Sequence, residues 1–388
     1  MIFVRLSVRL GLAFLAIFLL ANSVSIASNA RLTALGQDKS GSLLIEDERN
    51  IFLNPGYLGT LKNAANFELG ASSVTTSASN STASSPKAEG GIVYGLDSLV
   101  TAIQVGRTHR LTESMINNSR LSTGGFFIPQ NSLELMLGRG GDLSWGGSVH
   151  YAKTASDRGQ TANFPDSEAS ILSFSGGVYK SSFAAFASVD LIHKSETKDS
   201  IGTPEKYEGK VGYMVGGSFN LNAFNKVCVT MDSKGFAFNN GAGIEGDSKS
   251  LQTVLNYFHR FSDEKVFLFV IAGLSRGETV VSYAAPGSNN EKLTTWSLPL
   301  SLGLEIPANS WLTLQTSVKQ GVLINSSNAT NGITDLATNG LDDTKVSAGA
   351  SLAFERIKLD ATLEGADSGS GKVNGSTLLA NVGLKYAF

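Results

Sequence analysis

The feature that most constrains this chain is an alternation of connection lengths. From Asn66 onward, stretches of roughly ten residues that alternate apolar and polar positions are joined in turn by very short and by long polar connections. The short ones are Asp97-Ser98, Gly140-Gly141-Asp142, Ser181-Ser182, residues 222–225, 262–264 and 307–310, and Glu355-Arg356. Most are built from Gly, Asn, Asp, Ser or Pro, which supply positive φ, local side-chain hydrogen bonds or a preset turn. The long ones cover residues 75–87, 110–130, 155–166, 195–205, 236–247, 279–292, 325–342 and 367–374. Seven short and eight long connections join sixteen strands, with fourteen as the alternative count. A soluble β-sandwich has no reason to alternate loop lengths so regularly. The expected fold is all-β, a transmembrane antiparallel up-and-down β-barrel over residues 66–388.

Individual strands carry two faces. Trp296, Leu298, Leu300, Leu302 and Leu304 alternate with Ser297, Pro299, Ser301, Gly303 and Glu305, and Val346 to Phe354 repeats the theme. The last stretch is the plainest: Leu378, Ala380, Val382, Leu384, Tyr386 and Phe388 form one face, with Asn381, Gly383 and Lys385 on the other. Alternating apolar residues that end on an aromatic resemble the closing strand of Gram-negative outer-membrane β-barrel proteins. That resemblance implies that Leu384, Tyr386 and Phe388 form the signal read by the barrel-assembly machinery; the even strand count makes this the strand that closes against residues 66–74. Aromatics at strand ends, such as Tyr94, Tyr151, Trp311 and Tyr386, suit the two membrane interfaces.

Arg5 and Arg9, an apolar run over residues 10–21 and small residues up to Ala27 and Ala30 read as a secretory signal peptide over residues 1–30, cleaved after Ala27 or Ala30. No later run is long and apolar enough for a membrane helix. The single Cys228 forbids an internal disulfide, four scattered His offer no metal-ligand spacing, and a net charge of −2 argues against a nucleic-acid partner. No cofactor is expected.

Residues 31–65 lack strand alternation and contain the turn Asn54-Pro55-Gly56. The stretch 47–58 (DERNIFLNPGYL) resembles the amino-terminal segment of the long-chain fatty-acid transporter family, with Gly56 where that family usually has Ala. The resemblance implies a plug inside the barrel; a lead-in packed at the barrel mouth is the alternative. Two stretches break the strand pattern. Residues 266–274 (VFLFVIAGL) are apolar on both faces, which calls for an apolar cover on the inner wall, and Pro299 mid-strand calls for a bulge or kink.

On the inward phase the alternation places Glu134, His150, Asp190, Lys210, Glu305 and Lys385 as pore-lining candidates, a charge mixture that predicts weak ion preference. No enzyme is expected: Ser148 near His150, and His193 near Ser195 and Glu196, sit in no hydrolase motif. The expected function is a porin-like outer-membrane channel for passive diffusion of small solutes. Uptake of hydrophobic compounds, and a structural or surface-recognition barrel, are the alternatives. Expected partners are outer-membrane lipid, the assembly machinery and small solutes. The strand grammar suits a monomer or a homo-oligomer.

Overall fold

In the computed structural model the described residues are 28–70, 87–116, 126–156, 166–198, 205–240, 244–261, 266–284, 290–330, 333–336, 344–366 and 379–388. The signal-peptide run and its cut at Ala27 lie outside them, as do the turn 262–264, the connection 367–374 and all of 75–87 but its last residue. The strands are β1 (Ala64–Gly70), β2 (Lys87–Leu96), β3 (Leu99–Val105), β4 (Ser132–Arg139), β5 (Ser144–Ser156), β6 (Asp166–Lys180), β7 (Phe183–Lys198), β8 (Glu205–Asn220) and β9 (Asn225–Asn240). They continue with β10 (Glu245–Arg260), β11 (Phe267–Tyr283), β12 (Glu291–Pro307), β13 (Leu312–Thr330), β14 (Ile333–Leu336), β15 (Lys345–Phe354), β16 (Ile357–Ala366) and β17 (Leu379–Ala387). Two short helices, α1 (Asn29–Ala34) and α2 (Arg110–Ile116), and two 3-10 turns, Glu48–Phe52 and Pro55–Thr60, complete the elements.

Each strand pairs antiparallel with its sequence neighbours, and β1 pairs with both β2 and β17, so no edge is left. β14 pairs only with the outer end of β13, while β13 also pairs directly with β15; the wall therefore has sixteen strands. The outer face carries the expected apolar set, including Leu133, Leu135, Leu137, Leu298, Leu300, Leu302, Val382, Leu384 and Tyr386. A closed, even-stranded antiparallel barrel with that outer face is an outer-membrane type of barrel. Tyr94, Tyr386 and Phe388 stack in a row at the short-turn end, with centroids 6.5 and 6.4 Å apart. That is the interfacial position aromatic side chains favour.

Two details differ from the sequence pattern. β6 to β13 run 15 to 19 residues, well beyond the ten or so that span a bilayer, because stretches read as loops, such as 236–240 and 279–283, stay paired. The pairing also contains bulges. Leu191 and Ile192 both face outward where β6 and β7 shift register, and β8 shifts between Lys210 and Tyr213. At Pro299 the ladder to β11 lapses between Ala272↔Leu300 and Ser275↔Ser297, so the imide nitrogen falls where pairing is already interrupted.

Candidate functional site in the barrel interior

Residues 28–62 pack against the inner wall. Ser28 caps α1, its hydroxyl accepting from the Arg31 amide at 3.3 Å, and the Asn29 amide donates to both carboxylate oxygens of Glu68 at 3.0 and 2.9 Å. α1 lies on β13, β15, β16 and β17. Ala30, the second expected cleavage site, is buried within it.

Ion pairs tie the segment to the wall and to itself. Arg31 reaches Glu305 at 2.7 Å and Asp47 at 3.0 Å. Arg49 reaches Glu68 at 2.8 Å and also Glu89, and Lys385 is paired with Glu48. Burying so many charges is tolerable only because each has a partner. Burial pushes the Asp47 carboxyl up to about 6, with Arg31 opposing the rise. Burial opposes the charge on Arg49, but Glu68 and Glu89 more than offset it and hold the guanidinium above its ordinary range.

The turn at Asn54 is fixed differently. The Asn54 side chain accepts from the Gly56 amide at 2.9 Å and donates to the Val178 carbonyl at 3.0 Å, with Pro55 at the first position of the 3-10 turn. A Cβ on Gly56 would lie 2.7 Å from the Val178 backbone, so only glycine fits here. On the wall side, Gly138, Gly146 and Gly177 make room for Leu58, Pro55 and Asn54.

Between these anchors Leu35, Leu43, Leu44 and Ile45 form a buried cluster with Phe186, Cys228, Phe258, Phe269 and Ile271 from the wall. The apolar inner face of residues 266–274 is therefore covered by the amino-terminal segment.

A second stretch enters the barrel from the connection between β3 and β4, which the sequence pattern assigns to a surface loop. Arg107 donates to Glu134 at 2.6 Å and to His150 Nδ1 at 3.3 Å. The His109 and His150 rings lie 4.7 Å apart. Burial, reinforced by His150, Arg107 and Arg110, holds the pKa of His109 well below the ordinary imidazole value. Arg110 is paired with Asp190 and Asp232. Leu111, Met115 and Phe126 pack with Ile171, Tyr207, Phe236 and Phe238 near the strand ends that carry the long loops. The two internal stretches meet at Phe52, whose ring lies 4.9 Å from the Arg49 guanidinium and 4.8 Å from that of Arg107.

Of the six pore-lining candidates, Glu134, His150, Asp190, Glu305 and Lys385 face the interior, and each contacts one of the internal stretches or its partners. Lys210 does not. Its side chain is 44% exposed and pairs at 2.6 Å with Asp247 on the outer face, because the β8 bulge reverses the phase that simple alternation predicts. Lys210 contributes its backbone carbonyl to the interior instead, 2.8 Å from His193 Nε2, while Tyr207 Oη lies 3.0 Å from His193 Nδ1. Both His193 nitrogens thus serve the wall, not Ser195. Arg107, Arg110, Asp232 and the aromatic inner wall escaped the sequence pattern. The signal was an apolar pair four residues apart, Leu111 and Met115, bracketed by Arg in a polar loop.

Among the described residues no group of three or more His, Cys, Asp or Glu side chains could hold a metal ion, and none of the helices is long and apolar enough to cross a membrane. No protein-family model matches the chain, and no curated protein is significantly similar to it. Solved structures share its outline. The CymD monoaromatic hydrocarbon channel aligns over 92% of this chain and 97% of its own, at 11% identity and a TM-score of 0.41. A Pseudomonas aeruginosa FadL homologue aligns over 93% and 98%, at 10% identity and 0.42, and a porin over 84% and 99%, at 13% and 0.36. At these values the likeness is one of overall outline.

Proposed function

We propose that the chain is an outer-membrane channel for small apolar compounds, closed in this state by its amino-terminal segment and by the inward β3–β4 connection. The observation that carries this reading is the inner wall itself. Phe186, Tyr207, Phe236, Phe238, Phe258 and Phe269 are buried inside the barrel, at positions where a water-filled channel carries polar side chains. Residues 28–62 serve as the plug and the sixteen paired strands as the wall. Cells that carry the protein should accumulate an apolar solute faster than cells without it, and no faster for a small sugar. Equal acceleration of both solutes would contradict the reading.

Passive diffusion of small polar solutes is the second reading, favoured by the interior charges Glu134, Asp190, Asp232, Lys234 and Lys385. All five are committed to ion pairs with one another or with the internal stretches. The polar route therefore requires breaking several buried pairs, whereas the apolar route requires the displacement of apolar contacts by an apolar solute.

A further inference from the structure

Lys210 has no part in the interior beyond its carbonyl, and the bulge that turns its side chain outward brings it beside a second lysine. Gly235 on β9 faces outward, paired with Lys210 of β8 on one side and Lys249 of β10 on the other. Because Gly235 has no side chain, both lysine stems lie across it: a Cβ there would meet Lys210 Cβ at 3.6 Å and Lys249 Cγ at 3.7 Å. Asp247 holds the Lys210 ammonium at 2.6 Å, whereas Lys249 is exposed and has no ion pair among the described residues. Two cations gathered over one glycine, with one carboxylate between them, leave an excess of positive charge.

The height of this pair limits what can answer the excess. β9 leaves its short turn at Asn225, and Gly235 is the tenth residue beyond. At about 3.4 Å per residue and a tilt of about 40°, Gly235 stands about 26 Å above the turn, level with the far edge of an apolar band about 25 Å tall. The outward side chains change character at the same level. Toward the short turn they are apolar, with Val211 and Tyr213 on β8 and Val229 on β9; toward the long loops they are Glu208 and Asp247, which flank Ala237. Other strands repeat the order. Past Tyr151, Ile192 and Leu274 the first outward charge is Lys153, Lys194 and Arg276 in turn, and Glu196 and Glu278 follow only further out.

Cations at the rim of the apolar band, with carboxylates kept on the water side of them, suit an anionic headgroup lying at that level. We infer that Lys210 and Lys249, side by side over Gly235, hold the phosphate of a lipid headgroup in the outer leaflet of the membrane. The lipid's acyl chains then lie along Val211, Tyr213 and Val229. The inference goes beyond the channel reading and stands whatever solute the barrel carries.

The test uses the full chain in mild detergent and native mass spectrometry, with a synthetic glucosamine-disaccharide lipid phosphorylated at both ends as the probe. Wild-type protein should retain this lipid severalfold more than the same lipid without phosphates. Lys210→Gln/Lys249→Gln should lower its retention to that of the phosphate-free lipid. Lys292→Gln, which removes an exposed cation paired with Glu278 at the long-loop end of β12, should leave retention unchanged.

Equal retention of the two lipids by wild type overturns the inference, as does undiminished retention by the double variant. An equal loss in Lys292→Gln overturns it in favour of diffuse attraction to the charged rim. Displacement of the lipid by millimolar inorganic phosphate overturns the lipid as occupant and leaves a site for free anions only.

Discussion

The guanidinium of Arg107 lies over the ring of Phe52, 4.8 Å from its centroid, so the amino-terminal segment and the β3–β4 connection touch through one aromatic side chain. Arg49 lies on the same ring at 4.9 Å. Two cations on one desolvated ring contribute on the order of 2 kcal/mol or more in total. Phe52→Ala should therefore loosen both stretches at once. Hydrogen exchange should accelerate in residues 47–53 and also in residues 106–112. Acceleration confined to residues 47–53 would mean that the two close the barrel independently.

Gly56 offers a steric test. An added Cβ would lie 2.7 Å from the Val178 backbone, in a wall that cannot retreat without breaking strand pairing. Gly56→Ala should dislodge the turn at Asn54 while leaving the barrel closed. Limited proteolysis should then cut at Arg49, buried in the native protein, and far-ultraviolet circular dichroism should stay unchanged.

Asp47 sets a pH dependence. Its carboxyl is pushed up to about 6 by burial, above the usual 3.8. Because the folded value is raised, the folded state holds the proton more tightly than the unfolded one. The stabilisation this group gives is fully present below about pH 4 and is lost as pH rises through about 6, an effect on the order of 3 kcal/mol. Asp47→Asn should remove that slope. Denaturant midpoints for release of the segment, measured from pH 4 to 7, should fall less steeply for the variant than for wild type; equal slopes would contradict the assignment.

The closing strand makes an assembly prediction. Phe388 stacks on Tyr386 and Tyr94 at the short-turn end, and its amide bonds to the Asn63 carbonyl at 3.3 Å, next to the β1–β17 seam. Deleting Phe388 should reduce the yield of heat-modifiable, folded protein in the outer membrane several-fold. An undiminished yield would show that the terminal aromatic is dispensable for insertion.

The wall was legible because side chains in a strand alternate with a period of two and the short turns punctuate it. Leu384, Tyr386 and Phe388 face outward and Lys385 inward as that period requires. Lys210 shows where the period fails: a bulge is a tertiary accommodation, built around His193 and the Lys210 carbonyl, and it leaves no mark in a pattern of apolar and polar letters. The apolar inner face of residues 266–274 announced a cover without naming it. The cover is Leu35, Leu43, Leu44 and Ile45, more than two hundred positions earlier in the chain. The β3–β4 connection looked like a surface loop because its Arg residues suit solvent; inside the barrel they suit Glu134, Asp190 and Asp232 equally well.

The central claim is that the interior is closed by residues of this chain, and single-channel recording in a planar bilayer tests it most directly. Wild-type protein should be silent or open only briefly, and a variant lacking residues 31–61, which leaves β1 whole, should give stable ohmic steps. Stable steps of equal size from wild type and variant would contradict the account.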